Sequence, residues 1–263
     1  MERFSADFRG KYPHKEHLDG IEQAYDFLLR LRREYIHFPS LIRELEQTGK
    51  VPRNPINVLV LMQTAIRRGL ELTDAMIRDA NALSYTPVWV NSRSLFELAS
   101  LAFDTADKVS ELIANWDLER YKEFDLHLSK IMLGFKSAVW HPGRDNGEHL
   151  DLVPQNIITI IQRIEKKHIP EYFSLYELLS EVAHPNYMGM MEQYHKLHPE
   201  DHVAEFFDRP AERDITSVQI PLDNAHGSLG LLVKAIEMYE ANLTTYALLC
   251  AKNIPPDASD AAI

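Results

Sequence analysis

Apolar residues recur along most of this chain at the three- and four-residue spacing of a helix buried on one side. In residues 19–37, Ile21, Tyr25, Leu28 and Leu29 follow that period. Pro39 interrupts before a second piece, 40–48, that ends at Gly49. Pro52 and Pro55 open the next helix, 55–81, which turns Val58, Leu59, Met62, Ile66, Leu70 and Ile77 towards a core. Pro87 sits in the first turn of a helix over 86–115. Asp117 offers the short side-chain acceptor that caps another over 118–140. Turn residues make His141–Gly147 a loop, and helices over 152–168 and 171–198 follow. Asp223 or Asn224 caps a last helix through Asn253.

One stretch breaks the pattern. Between Pro199 and Pro221, Glu205-Phe-Phe-Asp lacks helical period and Ile215-Thr-Ser-Val-Gln-Ile220 alternates with β-branched residues, which predicts a short hairpin or an ordered loop. The expected fold class is all-α: a single helical-bundle domain of about seven or eight helices, with a short loop or hairpin insertion near 199–221. Residues 1–50 read as an N-terminal helical arm, 51–198 as the main bundle and 199–223 as the irregular insertion. The C-terminal helix is 224–253 and the tail 254–263.

Charge and composition narrow the function classes. The formal charge of -11 argues against broad phosphate binding, which needs clustered Lys and Arg. Residues 1–80 carry 13 Lys and Arg against 12 Asp and Glu, so the acidity lies beyond them. Arg30, Arg32 and Arg33, or Arg67 and Arg68, mark local basic surface, which by default is solvated helix face. Cys250 is the lone cysteine, so no intrachain disulfide forms, and its Leu-Leu-Cys-Ala setting predicts a buried thiol. The start has no apolar signal core, and no run approaches the ~18 apolar residues of a membrane span. A cytoplasmic location and no membrane partner are expected.

The candidate chemistry centres on Tyr176-Glu-Leu-Leu-Ser180-Glu-Val-Ala-His184-Pro185. At about 100° per residue, Tyr176, Ser180 and His184 lie roughly 0°, 40° and 80° around one helix. Ser180 falls inside the apolar arc and His184 on its border, so both need hydrogen-bonding partners from another element. Pro185 removes an N–H and disfavours α geometry at His184, which predicts a kink or stop there. Arg93 and Glu97, four residues apart, are the expected partners. They begin a polar stripe of Arg93, Glu97, Ser100, Asp104, Asp107 and Glu111. By spacing alone that stripe is a solvated face; docking against the Tyr176 helix is what makes it a site.

The order Arg93-Ser-Leu-Phe-Glu97, Trp140-x-x-Gly143, Tyr176-x-x-x-Ser180-x-x-x-His184-Pro185 resembles a broad group of uncharacterised prokaryotic helical proteins. The resemblance spans roughly residues 55–200 and implies that Arg93, Glu97, Tyr176, Ser180 and His184 converge. It brings no assigned reaction. The chain is also distantly similar to HEPN-type helical proteins, whose ribonuclease members carry Arg-x(4–6)-His on a helix. The matching pairs here are Arg163 with His168 and Arg144 with His149. The second falls in a loop, and Ile164 replaces the polar residue usual after the Arg.

Glu192, His195, His198 and His202 are weak metal candidates, since helical i,i+3 spacing would bring His195 and His198 together. No His-Glu-x-x-His pairing accompanies them, so no zinc peptidase follows. Phosphate loops and dinucleotide glycine fingerprints are missing, and no cofactor is implied. Ser180 and His184 share a helix with no evident oxyanion hole, which counts against acyl transfer. Two readings stand. One is a stress- or defence-associated helical binding or interaction module, read as a homodimer, whose polar cluster is structural or recognises a small ligand. The other is a metal-independent HEPN-type ribonuclease with His184 or His168 as general acid/base and an Arg on the phosphate.

Overall fold

The longest periodic stretches of the sequence become the longest helices of the fold. A computed structural model describes residues 3–34, 52–133, 155–183, 195–198, 200, 203–206 and 215–254. These form eight α-helices and one two-stranded hairpin, an all-α bundle with a small appendage. The helices are α1 (Ala6–Lys11), α2 (Lys15–Glu34), α3 (Arg53–Asn81), α4 (Tyr85–Ala114), α5 (Leu118–Leu133), α6 (Ile157–Lys167), α7 (Tyr172–Ala183) and α8 (Gln219–Asn253).

Helix α4 is the hub. Its small and aromatic residues Leu95, Phe96, Ala99, Ala102 and Ala106 are buried, so α3, α5, α6, α7 and α8 all pack around it. Its longest contact is with α8. Ser92 Oγ donates to the Pro221 carbonyl at 2.7 Å, and Asn242 Nδ2 donates to Ser110 Oγ at 3.1 Å, so the two helices run parallel. Helix α2 closes the other side against α3 and α8, with Leu18, Ile21 and Leu28 fully buried. Phe4, Phe8 and Tyr12 form a stacked aromatic ladder along α1, a helix that the weak periodicity of residues 1–14 did not announce.

Local capping follows ordinary rules. Asp117 Oδ1 accepts from the Arg120 amide at 2.9 Å, the cap expected for α5. Asn156 Oδ1 accepts from Ile158 N at 3.0 Å and starts α6 there, later than the expected 152. Residues 134–154 lie outside the described ones.

Three expectations are corrected. The helix foreseen over 171–198 does not persist: His195–His198 is a strand, β1, paired antiparallel with Val203–Phe206, β2. Ladder bonds to β2 satisfy backbone groups that a helix would have paired internally. The stretch Ile215–Ile220 is not a strand either. Ile215–Val218 is a 3-10 turn, and α8 already begins at Gln219, ahead of Asp223 and Asn224. Pro221 stands in the first turn of α8, where a missing N–H costs nothing, and its fixed φ suits helix. Asp223 is not a cap but reaches back to α1 and α2, accepting from Tyr12 Oη at 2.8 Å and lying 2.6 Å from His17 Nδ1. The break expected at His184–Pro185, and the tail after Pro255, fall outside the described residues.

Candidate functional site

The polar stripe of α4 is not a solvated face. From Arg93 to Asp107 it is covered by the α6–α7 hairpin, rung by rung, while Glu111 at its end stays exposed. At the first rung Arg93 Nε donates to Glu97 Oε1 at 3.1 Å, and Arg93 Nη2 donates to Tyr176 Oη at 3.2 Å. The guanidinium also lies over the Tyr176 ring, 5.5 Å from its centre. Next, Ser100 Oγ donates to the Phe96 carbonyl at 2.7 Å, and Tyr172 Oη lies 2.9 Å from the same oxygen. With the serine proton committed to the carbonyl, Tyr172 is the donor of that pair. Phe96 and Tyr172 stack at 4.3 Å beside it.

The third rung is ionic. Asp104 is only 3% exposed, and Arg163 binds both its oxygens, Nη2 to Oδ2 at 2.7 Å. His127 Nε2 stands 3.2 Å from Oδ2. Burial alone would raise the Asp104 pKa; the His127 contact and the Arg163 charge outweigh it and hold the carboxyl below the usual range. Below this, Asp107 meets His168 Nε2 at 3.2 Å and Lys167 Nζ at 3.3 Å, and Lys167 also binds Glu111. Phe103 lies edge-on to the His168 ring at 5.1 Å.

The chain reaches this geometry through a tight turn. Helix α6 ends at Lys167, and residues 168–171 reverse the chain into α7, with Glu171 in the left-handed region at φ 63°. Contacts on α4 run from Asp104 to Glu111 along α6 and back from Ser100 to Arg93 along α7, so the two helices are antiparallel and present polar groups to α4 together.

Arg93, Glu97 and Tyr176 are therefore brought together. Ser180 lies on the same helix, about one turn beyond Tyr176. Its Oγ is buried with no hydrogen-bond partner among the described residues. His184, Trp140, Gly143, Arg144, His149, Glu192 and His202 lie outside the described residues. His195 and His198 stand three apart on strand β1, which puts their positions on opposite faces of the ladder. The helical i,i+3 spacing on which that candidate pair rested is absent there. Among the described residues no three His, Cys, Asp or Glu side chains converge on a metal position.

Two constellations escaped the sequence reading. His127 is a buried polar residue among Phe124 and Leu128 on α5; an imidazole on an apolar arc was the available signal. It joins Asp104 to Gln155, whose Oε1 is 3.3 Å from His127 Nδ1. The other is a stack of His14, His17 and His226, with ring centres 5.1 and 4.8 Å apart, flanked by Asp223. The His-x-x-His and Asp-x-x-His spacings of 14–17 and 223–226 were legible, but nothing in sequence placed them together.

Beside the first rung opens a cleft of about 380 Å3 between α3, α4, α5 and α6. Glu97 stands on its wall, so the cleft adjoins the Arg93–Tyr176 pair. Leu98, Leu101, Ile131, Ile157 and Ile160 give it an apolar lining, and Arg68, Ser94, Lys130 and Gln155 complete it. A second cleft, about 440 Å3, lies where α4 meets α5, beside Lys108 and Arg120. Burial lowers the Lys108 pKa there, with Asp104 opposing the shift.

No family model, curated protein or solved structure matches this chain. Most charges of the seam are already matched: Arg163 to Asp104, His168 and Lys167 to Asp107. The cleft is where solvent-accessible polar groups meet unfilled apolar surface. No helix among the described residues is long and apolar enough to cross a membrane.

Proposed function

We propose that this chain is a helical binding module that takes a small molecule in the cleft walled by Glu97. The observation that carries the reading is the cleft itself: about 380 Å3, within the range of small-ligand sites, apolar inside with a few polar groups at its edge. The Arg93–Glu97–Tyr176 cluster then orients one wall of the site, and the rest of the seam serves as the rigid support behind it. We place the protein in the cytoplasm, in keeping with the buried thiol of Cys250, whose pKa burial pushes up to about 12.

The ribonuclease reading is weaker on one specific ground. A guanidinium that steadies a phosphate must be free to meet it, and Arg163 is bound through two nitrogens to a buried carboxylate. His168 likewise faces Asp107.

The deciding experiment pairs a methyl-detected NMR screen of small organic acids, amines and alcohols with incubation on mixed RNA in EDTA. Shifts confined to Leu98, Leu101, Ile131 and Ile157, with intact RNA, are expected. RNA cleavage that survives EDTA and disappears in His168→Gln would replace the binding reading with the nuclease one.

A further inference from the structure

Resting on the binding reading just given, we infer that the cleft takes an organic anion with a short apolar tail. The charges around it decide the sign. Among the described residues Glu97 is the one carboxylate on its lining, and that charge is already matched by Arg93 at 3.1 Å. Lys130 lines it from α5 and makes no ion pair with any described residue. Arg68, on α3, has only a long contact of 3.5 Å to Glu71, with both side chains more than half exposed. Exposed pairs of that kind are weak, and a better acceptor displaces them readily. Two cations from two helices therefore border the cleft with no close counter-charge, and the one anion among its described lining residues is neutralised by Arg93.

The interior decides the rest of the ligand. Leu98 and Leu101 from α4, Ile131 from α5, and Ile157 and Ile160 from α6 make a continuous aliphatic surface. Of these, Ile160 is fully buried and the other four are partly exposed, so a ligand has apolar surface left to cover. A free inorganic ion would leave that surface wet, and a neutral hydrocarbon would leave both cations unanswered. A carboxylate on an aliphatic chain satisfies both. Its head meets Lys130 and Arg68, where a guanidinium can hold two oxygens at once. Its tail lies along the isoleucines and leucines. Ser94 and Gln155 add hydroxyl and amide groups at the edge for further head-group contacts.

The test uses the full chain and three matched probes, hexanoate, hexylamine and hexanol, with inorganic phosphate as a fourth. Affinities come from calorimetry and locations from the isoleucine methyl signals. Hexanoate is expected to bind, with hexanol and hexylamine at least about tenfold weaker. Lys130→Met and Arg68→Met should each weaken hexanoate about tenfold while leaving hexanol unchanged. Both residues lie at the surface of their helices, and unchanged thermal unfolding would verify that the variants stay folded. Equal binding of all three probes would overturn the anion assignment and leave the binding reading standing. Phosphate binding as tight as hexanoate would overturn the apolar-tail assignment. No binding by any probe would overturn both this inference and the reading beneath it.

Discussion

Arg163 on α6 holds both carboxylate oxygens of Asp104 on α4, at the most buried ionic rung of the seam between them. Asp104 is 3% exposed and the Arg163 side chain 28%, so the pair is buried at one end and wetted at the other. Removing only the cation leaves a buried carboxylate stranded with His127 as its remaining contact. Arg163→Met should cost about 3–5 kcal/mol by urea unfolding. Adding Asp104→Leu should restore most of that, because an apolar pair of similar volume avoids the stranded charge. A single-variant loss below about 1 kcal/mol would mean that the pair does not hold the seam.

The histidine stack makes stability depend on pH. His17 and His226 are 4.8 Å apart, with His14 beyond, Asp223 and Tyr12 beside His17, and Glu16 nearby. Burial, and then His17, lower the His226 pKa from its ordinary 6.5. A depressed histidine pKa favours the neutral folded form. Its stabilising contribution is present above pH 6.5 and is lost as pH falls through the lower folded value. The melting temperature should therefore drop between about pH 7 and pH 5, and His226→Gln should flatten that slope. An unchanged slope in the variant would remove His226 from the account.

Gly20 and His226 are a matched pair. A Cβ built on Gly20 would lie 2.3 Å from His226 Nε2, so the imidazole occupies the space that a side chain would need. Gly20→Ala should destabilise by about 1–3 kcal/mol through overpacking. In a His226→Ala background the same change should become neutral or stabilising by up to about 1 kcal/mol, since alanine is the better helix former. A thermal-denaturation double-mutant cycle measures the coupling, and simple additivity would refute the contact.

Glu171 carries the turn between α6 and α7 at φ 63°, a left-handed conformation in which a Cβ is strained. The residue is exposed, so its side chain has little packing to lose. Glu171→Gly should raise stability by about 1 kcal/mol. Glu171→Ala should not, because alanine keeps the Cβ. Equal unfolding midpoints for glycine and alanine would show that the turn is not strained.

Helical period determined most of the fold, because burial of one face per helix leaves its mark every three or four residues whatever the partner. Leu95, Phe96, Ala99 and Ala106 were legible as a core face of α4, and Cys250 as a buried thiol. The Arg93–Glu97 pair was legible because both partners lie on one helix. Period failed where pairing across the chain took over. His195–His198 found its partners in Val203–Phe206, and β-branched alternation in Ile215–Ile220 was overridden by packing at the start of α8. The meaning of the α4 polar stripe was likewise undecided by spacing. Six polar residues on one helix face read the same whether water or a second helix covers them. Only the α6–α7 return, which sets Arg163 on Asp104 and Tyr172 on Ser100, turned the middle of that face into a buried seam. The cleft beside Glu97 is more remote still from sequence, since its walls come from four helices and its shape exists only once they are packed.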